Sequence, residues 1–254
     1  MSTLTRTCRF VAFTLVEYAR SGRILVELLA SMVFFYIFLR RSDSGTPANY
    51  FFSTTGLFVL GLTFYTTSAI MGLGDRPQGY LILARRLGRG GYLLGLYLAT
   101  QTIIWAAYGL LCLGVALVNP IENLGPRDWL AGTAPLLLNV ALLGALLALL
   151  APMVLTAGWR LAVLAFVAIA FSGSLISGQT MAGLPTALTS TLMILRTIFS
   201  TPLLPAFTGF ELAVSRDYNG IAFAILIAQL CMTLSLLTLA VYAFSRREII
   251  FSGN

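Results

Sequence analysis

The chain contains no lysine and no histidine; its sixteen basic residues are all Arg. Each absence removes a chemistry. Without Lys no Walker-type phosphate loop exists, because that Lys is the group that reaches the terminal phosphates. Without imidazole there is no His-ligated haem or zinc and no His general base. Charged residues make up 10% of the 254 residues and hydrophobic ones 58%, too little polar material to clothe a soluble domain. The three cysteines, Cys8, Cys112 and Cys231, are scattered with no CxxC, so they read as small apolar fillers. No Ser–His or paired-Asp arrangement falls inside an apolar run, which argues against an intramembrane enzyme.

Apolar runs of about 20 residues, the length that crosses a bilayer, recur along the whole chain. They predict an all-α integral membrane protein made of one transmembrane domain, residues 1–254. It has six transmembrane helices, an N-terminal interfacial helix and a broken re-entrant helical hairpin before the last span. The spans fall at 24–39, 50–74, 92–118, 129–157, 161–178 and 220–244. A secretory signal is not expected, because the first apolar run starts late and ends in Leu39-Arg40-Arg41 rather than at a small-residue cleavage site.

Residues 1–23 combine four Arg with a modest apolar face of Val11, Leu15 and Tyr18, and Glu17 stands three before Arg20. That pattern suits a helix lying on the inner membrane surface, with Glu17, Arg20 and Arg23 at the polar boundary. Glu27 falls one turn into the first span, where an i,i+4 ion pair with Arg23 is the plain structural expectation; an acid at membrane depth is otherwise a functional candidate. The second span is rich in Ser and Thr, which either pack helices closely or line a hydrated path. Pro152 should kink or end the fourth helix. Residues 181–210 are apolar yet hold Pro185, Pro202, Pro205 and Arg196, a composition better met by two short helices that dip in from the outer side and return than by a simple span.

With the N-terminus inside, inner segments carry eleven Arg and outer segments five, so both termini are expected in the cytoplasm of a multi-pass cell-membrane protein. The net charge of +7 then reflects this topology and anionic membrane lipid rather than nucleic acid.

The longest polar interruption is residues 75–92, DRPQGYLILARRLGRGGY. Asp75 can cap a helix that begins at Arg76 and Pro77. Tyr80, Leu83, Ala84 and Leu87 form one apolar stripe, Gln78, Arg85 and Arg89 point the other way, and Gly88, Gly90 and Gly91 are expected to stop the helix before the third span.

On these residues the chain resembles the membrane subunits of type-two ATP-binding-cassette exporters, the drug, polysaccharide and O-antigen exporter kind. Their loop between the second and third spans reads acidic–Arg–x–x–Gly, a Leu-rich turn, a basic residue, then aromatic–Leu–Leu–Gly. Here those elements are Asp75, Arg76, Gly79, Leu81–Leu83, Arg85–Arg89 and Tyr92-Leu93-Leu94-Gly95. Asp75 stands where the family more often has Glu, and Leu96 where it commonly has Lys. The resemblance implies that the chain binds no cofactor itself. ATP and Mg would sit on a separate P-loop ATPase that docks on residues 75–91 through Asp75, Arg76, Gln78, Tyr80, Arg85, Arg86 and Arg89, braced by residues 1–23. A second permease copy or a paralogue would complete the path, lined by Thr55, Phe58, Thr66, Phe171 and Ser174. The apolar spans lean towards a lipid-like or amphipathic cargo. Two alternatives stand beside this: a haem-exporter-like subunit, which also has six spans and little else, and a non-transport scaffold subunit of a larger membrane complex.

Overall fold

In the computed structural model of the chain, residues 3–40, 46–74, 88–119, 121, 124–171, 190–191, 194, 197–198 and 200–246 are described. Apart from one isolated bridge, Thr46 to Ile121, every regular element among them is helical. In chain order these are α1 (Thr3–Arg20), α2 (Arg23–Phe34), α3 (Ala48–Gly74), α4 (Gly88–Val118), α5 (Pro126–Leu149), α6 (Ala157–Phe171), α7 (Leu204–Ser215) and α8 (Ala222–Arg246). A π-helical stretch, Phe35–Leu39, continues α2, and a 3₁₀ turn, Thr201–Leu203, leads into α7.

Four helices, α3, α4, α5 and α8, are long and apolar enough to cross a membrane, and the bent pair α1–α2 makes a fifth candidate. Large apolar side chains such as Leu25, Met32, Leu57, Phe64, Leu117 and Ile227 stand exposed on the outside of the bundle, where lipid rather than water is the compatible solvent. The protein is a multi-pass membrane protein.

The helix boundaries differ from the sequence expectations in several places: α6 starts at Ala157 rather than 161 and α5 at Pro126 rather than 129, and two further differences have a local cause. α5 ends at Leu149 and gives way to a run of turns before Pro152 instead of continuing to 157, because the ring of Pro152 excludes the carbonyl four residues earlier from a helical bond. α4 starts at Gly88, earlier than expected. Gly88 has φ 73° and marks the start, while Gly90 lies inside the helix and faces the Val241 side chain of α8. Gly90 thus admits the neighbouring helix α8, while the expected helix that these glycines were to end lies outside the described residues.

Lipid offers apolar surface as good as a neighbouring helix, so packing in a bilayer depends on close fit and internal hydrogen bonds. The bundle is built that way. α5 is its centre, packed most extensively on α8 and then on α7 and α3. Glycines seat bulky partners: a Cβ at Gly95 would overlap the Phe10 ring, one at Gly132 the Phe52 ring, and one at Gly56 the Phe210 ring. Thr63, Thr100 and Thr233 each donate to the carbonyl four residues earlier, the usual way to hide a hydroxyl in an apolar helix.

At one end, the core gathers Phe10 and Tyr18 of α1, Ile70 and Met71 of α3, Tyr92 to Tyr97 of α4, Ala148 of α5 and Phe244 of α8. At the other, Phe34, Leu39, Phe51, Phe52, Leu111 and Val115 pack with Trp129. Asn119 ties that second end together by donating to the Leu39 carbonyl at 3.1 Å and to Thr46 Oγ1 at 2.8 Å. Arg6, Arg9, Arg20, Arg23, Arg89, Arg160 and Arg246 belong to helix ends on the first side, and Arg40, Arg127 and Arg216 to the second. α6 makes no extensive contact with the other described helices.

α7 lies beside the second-end halves of α3, α5 and α8. The loop after it closes with a specific bond. Pro135 inside α5 cannot donate to the Ala131 carbonyl, and the Tyr218 hydroxyl donates to it instead, at 2.9 Å. Replacing Tyr218 by Phe strands that carbonyl and should destabilise the protein by about 1 kcal/mol, the worth of one polar bond inside a membrane protein. A lowered melting temperature of the purified variant, with the helical circular dichroism retained, is the check.

Candidate functional site

The basic end of the bundle carries the arrangement with the most chemical content. α1 is amphipathic: Phe10, Thr14 and Tyr18 recur every four residues and are buried, whereas Cys8, Arg9, Glu17 and Arg20 are exposed. α1 and α2 meet at 74°. Gly22, with φ 75°, makes that bend, a conformation glycine adopts without strain. The buried face of α1 lies across the first turns of α4. Phe10 sits against Gly95, its ring centroid 5.0 Å from that of Tyr92, and the Tyr92 hydroxyl donates to the last residue of α3, at the Gly74 carbonyl, at 2.9 Å. Arg89, the first side chain after residues 75–87, donates to the Ser245 carbonyl at the end of α8, at 2.9 Å. A helix N-terminus and a helix C-terminus are thereby joined directly at the segment where the sequence places its docking loop.

Glu27 lies just inside this platform and is 2% exposed. The expected ion pair with Arg23 is replaced by a different arrangement. Arg23 Nη1 donates to the Ala69 carbonyl at 3.0 Å. Glu27 Oε1 accepts from the Tyr18 hydroxyl at 2.6 Å and from Thr66 Oγ1 at 2.5 Å. The 74° bend turns Tyr18 back over α2, so the acid finds α1 and α3 partners before it finds its own-helix neighbour. One carboxyl group thus bonds α1, α2 and α3 together. Its second oxygen, Oε2, is buried without a partner, as is Ser31 Oγ one turn further along α2.

Three further buried amides lie deeper in the bundle. Gln229 of α8 donates to Asn139 Oδ1 of α5 at 2.8 Å and is seated against Gly209 of α7. Gln101 of α4 is seated against Gly144 of α5, and both atoms of its amide lack partners. Small residues facing buried amides are a recurrent way for membrane helices to approach closely. Among the described residues no group of three or more Cys, Asp or Glu could hold a metal ion.

The site residues expected from the sequence fall in several places. Asp75, Arg76, Gln78, Tyr80, Arg85 and Arg86, together with Ser174 and residues 181–189, 192–193, 195–196 and 199 of the expected hairpin, lie outside the described residues. Arg89 opens α4, Glu17 and Arg20 sit on the exposed face of α1, and Arg23 opens α2. Thr55 is fully buried with its hydroxyl unpartnered. Phe58 is half-buried and stacks on Phe34 at 4.1 Å. Thr66 is fully buried and serves Glu27. Phe171 ends α6. The structure brings Thr66 to the platform and sets Thr55 and Phe58 nearer the opposite end.

Several features escaped the sequence. The open face of α3 is Leu57, Gly61, Phe64, Tyr65 and Ser68, a stripe its even hydrophobicity hides. The bonds of Glu27 to Tyr18 and Thr66 cross 9 and 39 residues of sequence, and no local pattern carries them.

Comparison of the chain with models of known families, with characterised proteins and with solved structures finds no match.

Proposed function

We propose that the protein is the permease subunit of an ATP-driven exporter, with the layout that the 75–95 segment shares with type-two ATP-binding-cassette membrane subunits. Six spans are assigned by counting α2, α3, α4, α5, α6 with the residues after it, and α8. Residues 181–210 then form the re-entrant hairpin, and α7 runs on from its returning arm beside α3, α5 and α8. The excess of Arg at the α1 end supports a cytoplasmic position for that end and for both termini.

One observation carries the reading. α1 is clamped onto the first turns of α4, directly after residues 75–87, and Arg89 ties the same turns to the end of α8. A displacement of the loop is thereby delivered to α1, α4 and α8 together rather than lost in a free hinge. That is the mechanical requirement for a separate P-loop ATPase to drive the bundle, with Asp75, Arg76, Gln78, Tyr80, Arg85, Arg86 and Arg89 at the contact. ATP and Mg belong to that partner, because this chain has no Lys to reach phosphate. A second copy or a paralogue would close the path against the open stripe of α3, with Thr55, Phe58 and Thr66 behind it and Phe171 and Ser174 beside it. A lipid-like or amphipathic cargo fits the apolar surroundings. The two arrangements of such a path differ in population only as far as nucleotide and cargo bind them differently.

Charge reversal at Arg85→Glu with Arg86→Glu tests the reading. The tagged protein purified from its native membrane should retrieve a P-loop ATPase. The double variant should lose at least about tenfold of it, since opposed charges at a contact cost several kcal/mol, with its melting temperature unchanged. Recovery of other membrane proteins without any ATPase, or undiminished ATPase binding by the variant, overturns the assignment; the first result would favour a scaffold subunit.

A further inference from the structure

Between α2 and α4 runs a groove of about 480 Å³, within the range of sites that hold drug-sized ligands. Along α4 it extends from Thr102 to Val118, a rise of about 24 Å. Its walls are apolar apart from Glu27, Ser31 and Thr102. Thr102 is spent on the Leu98 carbonyl at 2.8 Å. Glu27 gives both internal donors its Oε1, which leaves Oε2 unpartnered on a side chain 2% exposed. Ser31 Oγ, one helical turn away on the same wall, is unpartnered too. Among the described residues the lining holds one acid and no base, and Arg23 is engaged with Ala69.

We propose that this groove binds a single-tailed hydrophobic ammonium ion, its N–H groups held by Glu27 Oε2 and Ser31 Oγ and its alkyl chain laid along α4 towards Val118. The ligand class follows from what the groove leaves unmatched. A buried carboxyl oxygen without a donor is costly, and an ammonium supplies both donor and opposite charge. A fatty anion would face Glu27 with like charge, and a phospholipid would bring a phosphate for which the described lining residues offer no cation. The long, narrow apolar remainder suits one chain. This site stands on the membrane placement of α2 and α4 and does not depend on the ATPase contact, so either can fail alone.

The test uses the purified full-length protein in phosphatidylcholine nanodiscs and a hexadecylamine probe with a diazirine in its tail. Photolabelling, mapped by mass spectrometry, should fall on residues 103–118. Unlabelled hexadecylamine should compete, and palmitate and hexadecanol should not. Glu27→Gln retains an acceptor for Tyr18 and Thr66 but loses the charge; it should cut labelling at least about tenfold, the worth of a charge-assisted hydrogen bond. Ala106→Trp, on the exposed groove wall, should block the tail while leaving Glu27 intact, and it decides the matter if Glu27→Gln does not fold. Labelling undiminished in the folded variants, or equal competition by palmitate, overturns the proposal. So does a disulfide between two copies carrying Met32→Cys that saturating amine fails to prevent, since a second chain would then cover the groove.

Discussion

Removing both donors to Glu27, by Tyr18→Phe with Thr66→Val, should destabilise the protein by about 2–4 kcal/mol, the range for leaving a buried carboxyl group without partners. The two hydroxyls converge on one oxygen, Oε1, from α1 and from α3. Either single change leaves one bond in place, so the pair should cost more than the sum of the singles. The triple variant, with Glu27→Met added, should recover most of the loss, because replacing a whole buried polar network by apolar groups of similar volume is often neutral. Melting temperatures of the four purified proteins measure the cycle. Small, additive effects would show that Glu27 is not the junction of the three helices, and the clamp of α1 would then rest on Phe10 and Tyr92 alone.

Gly132→Ala should destabilise the protein by about 2–3 kcal/mol, against the usual direction, since Ala is normally the better helix former by about 1 kcal/mol. The added methyl would overlap three atoms of the Phe52 ring. That ring cannot swing aside cheaply. It is fully buried, lies edge-on to Phe51 and Trp129 at centroid distances of 5.2 and 6.1 Å, and carries the Arg216 guanidinium over it at 5.8 Å. Arg216 in turn donates to Asn49 Oδ1 at 2.7 Å, so the overlap is transmitted to the loop that leaves α7. Phe52→Leu should rescue Gly132→Ala, giving a double variant more stable than the sum of the singles. A Gly132→Ala protein as stable as the parent would show that α3 and α5 separate freely at this end, and the seating of α7 between them would lose its support.

Membrane character was legible from composition, because apolar runs without charge have no other stable solvent. The positions of α3, α4 and α8 followed within a few residues of the expected spans. The amphipathic reading of α1 from Val11, Leu15 and Tyr18 is met in part: Tyr18 is buried and Val11 and Leu15 half-buried, while Phe10 and Thr14 complete the buried face. The spans themselves carried no such signal: they are apolar on every side, so neither their neighbours nor their open faces are spelled in the sequence. Gly90 shows the limit well. Glycine can stop a helix or admit a close neighbour with the same residue, and inside α4 it is the Val241 side chain of α8 that Gly90 admits.

By itself the sequence determined that this chain spans a membrane several times and carries no phosphate-binding Lys and no His. It also determined that the helix before the first span is two-faced. These follow from what residue types can and cannot do in lipid. Only the tertiary structure decided what Glu27 does. At one turn into a helix it was equally suited to pair with Arg23. The bend at Gly22 brought Tyr18 back to it, α3 supplied Thr66, and the second carboxyl oxygen was left unpartnered on a side chain that lines an apolar groove. Partners so distant along the chain meet through packing alone, and that packing converts an ordinary interfacial acid into a buried charge-bearing group on the wall of the groove.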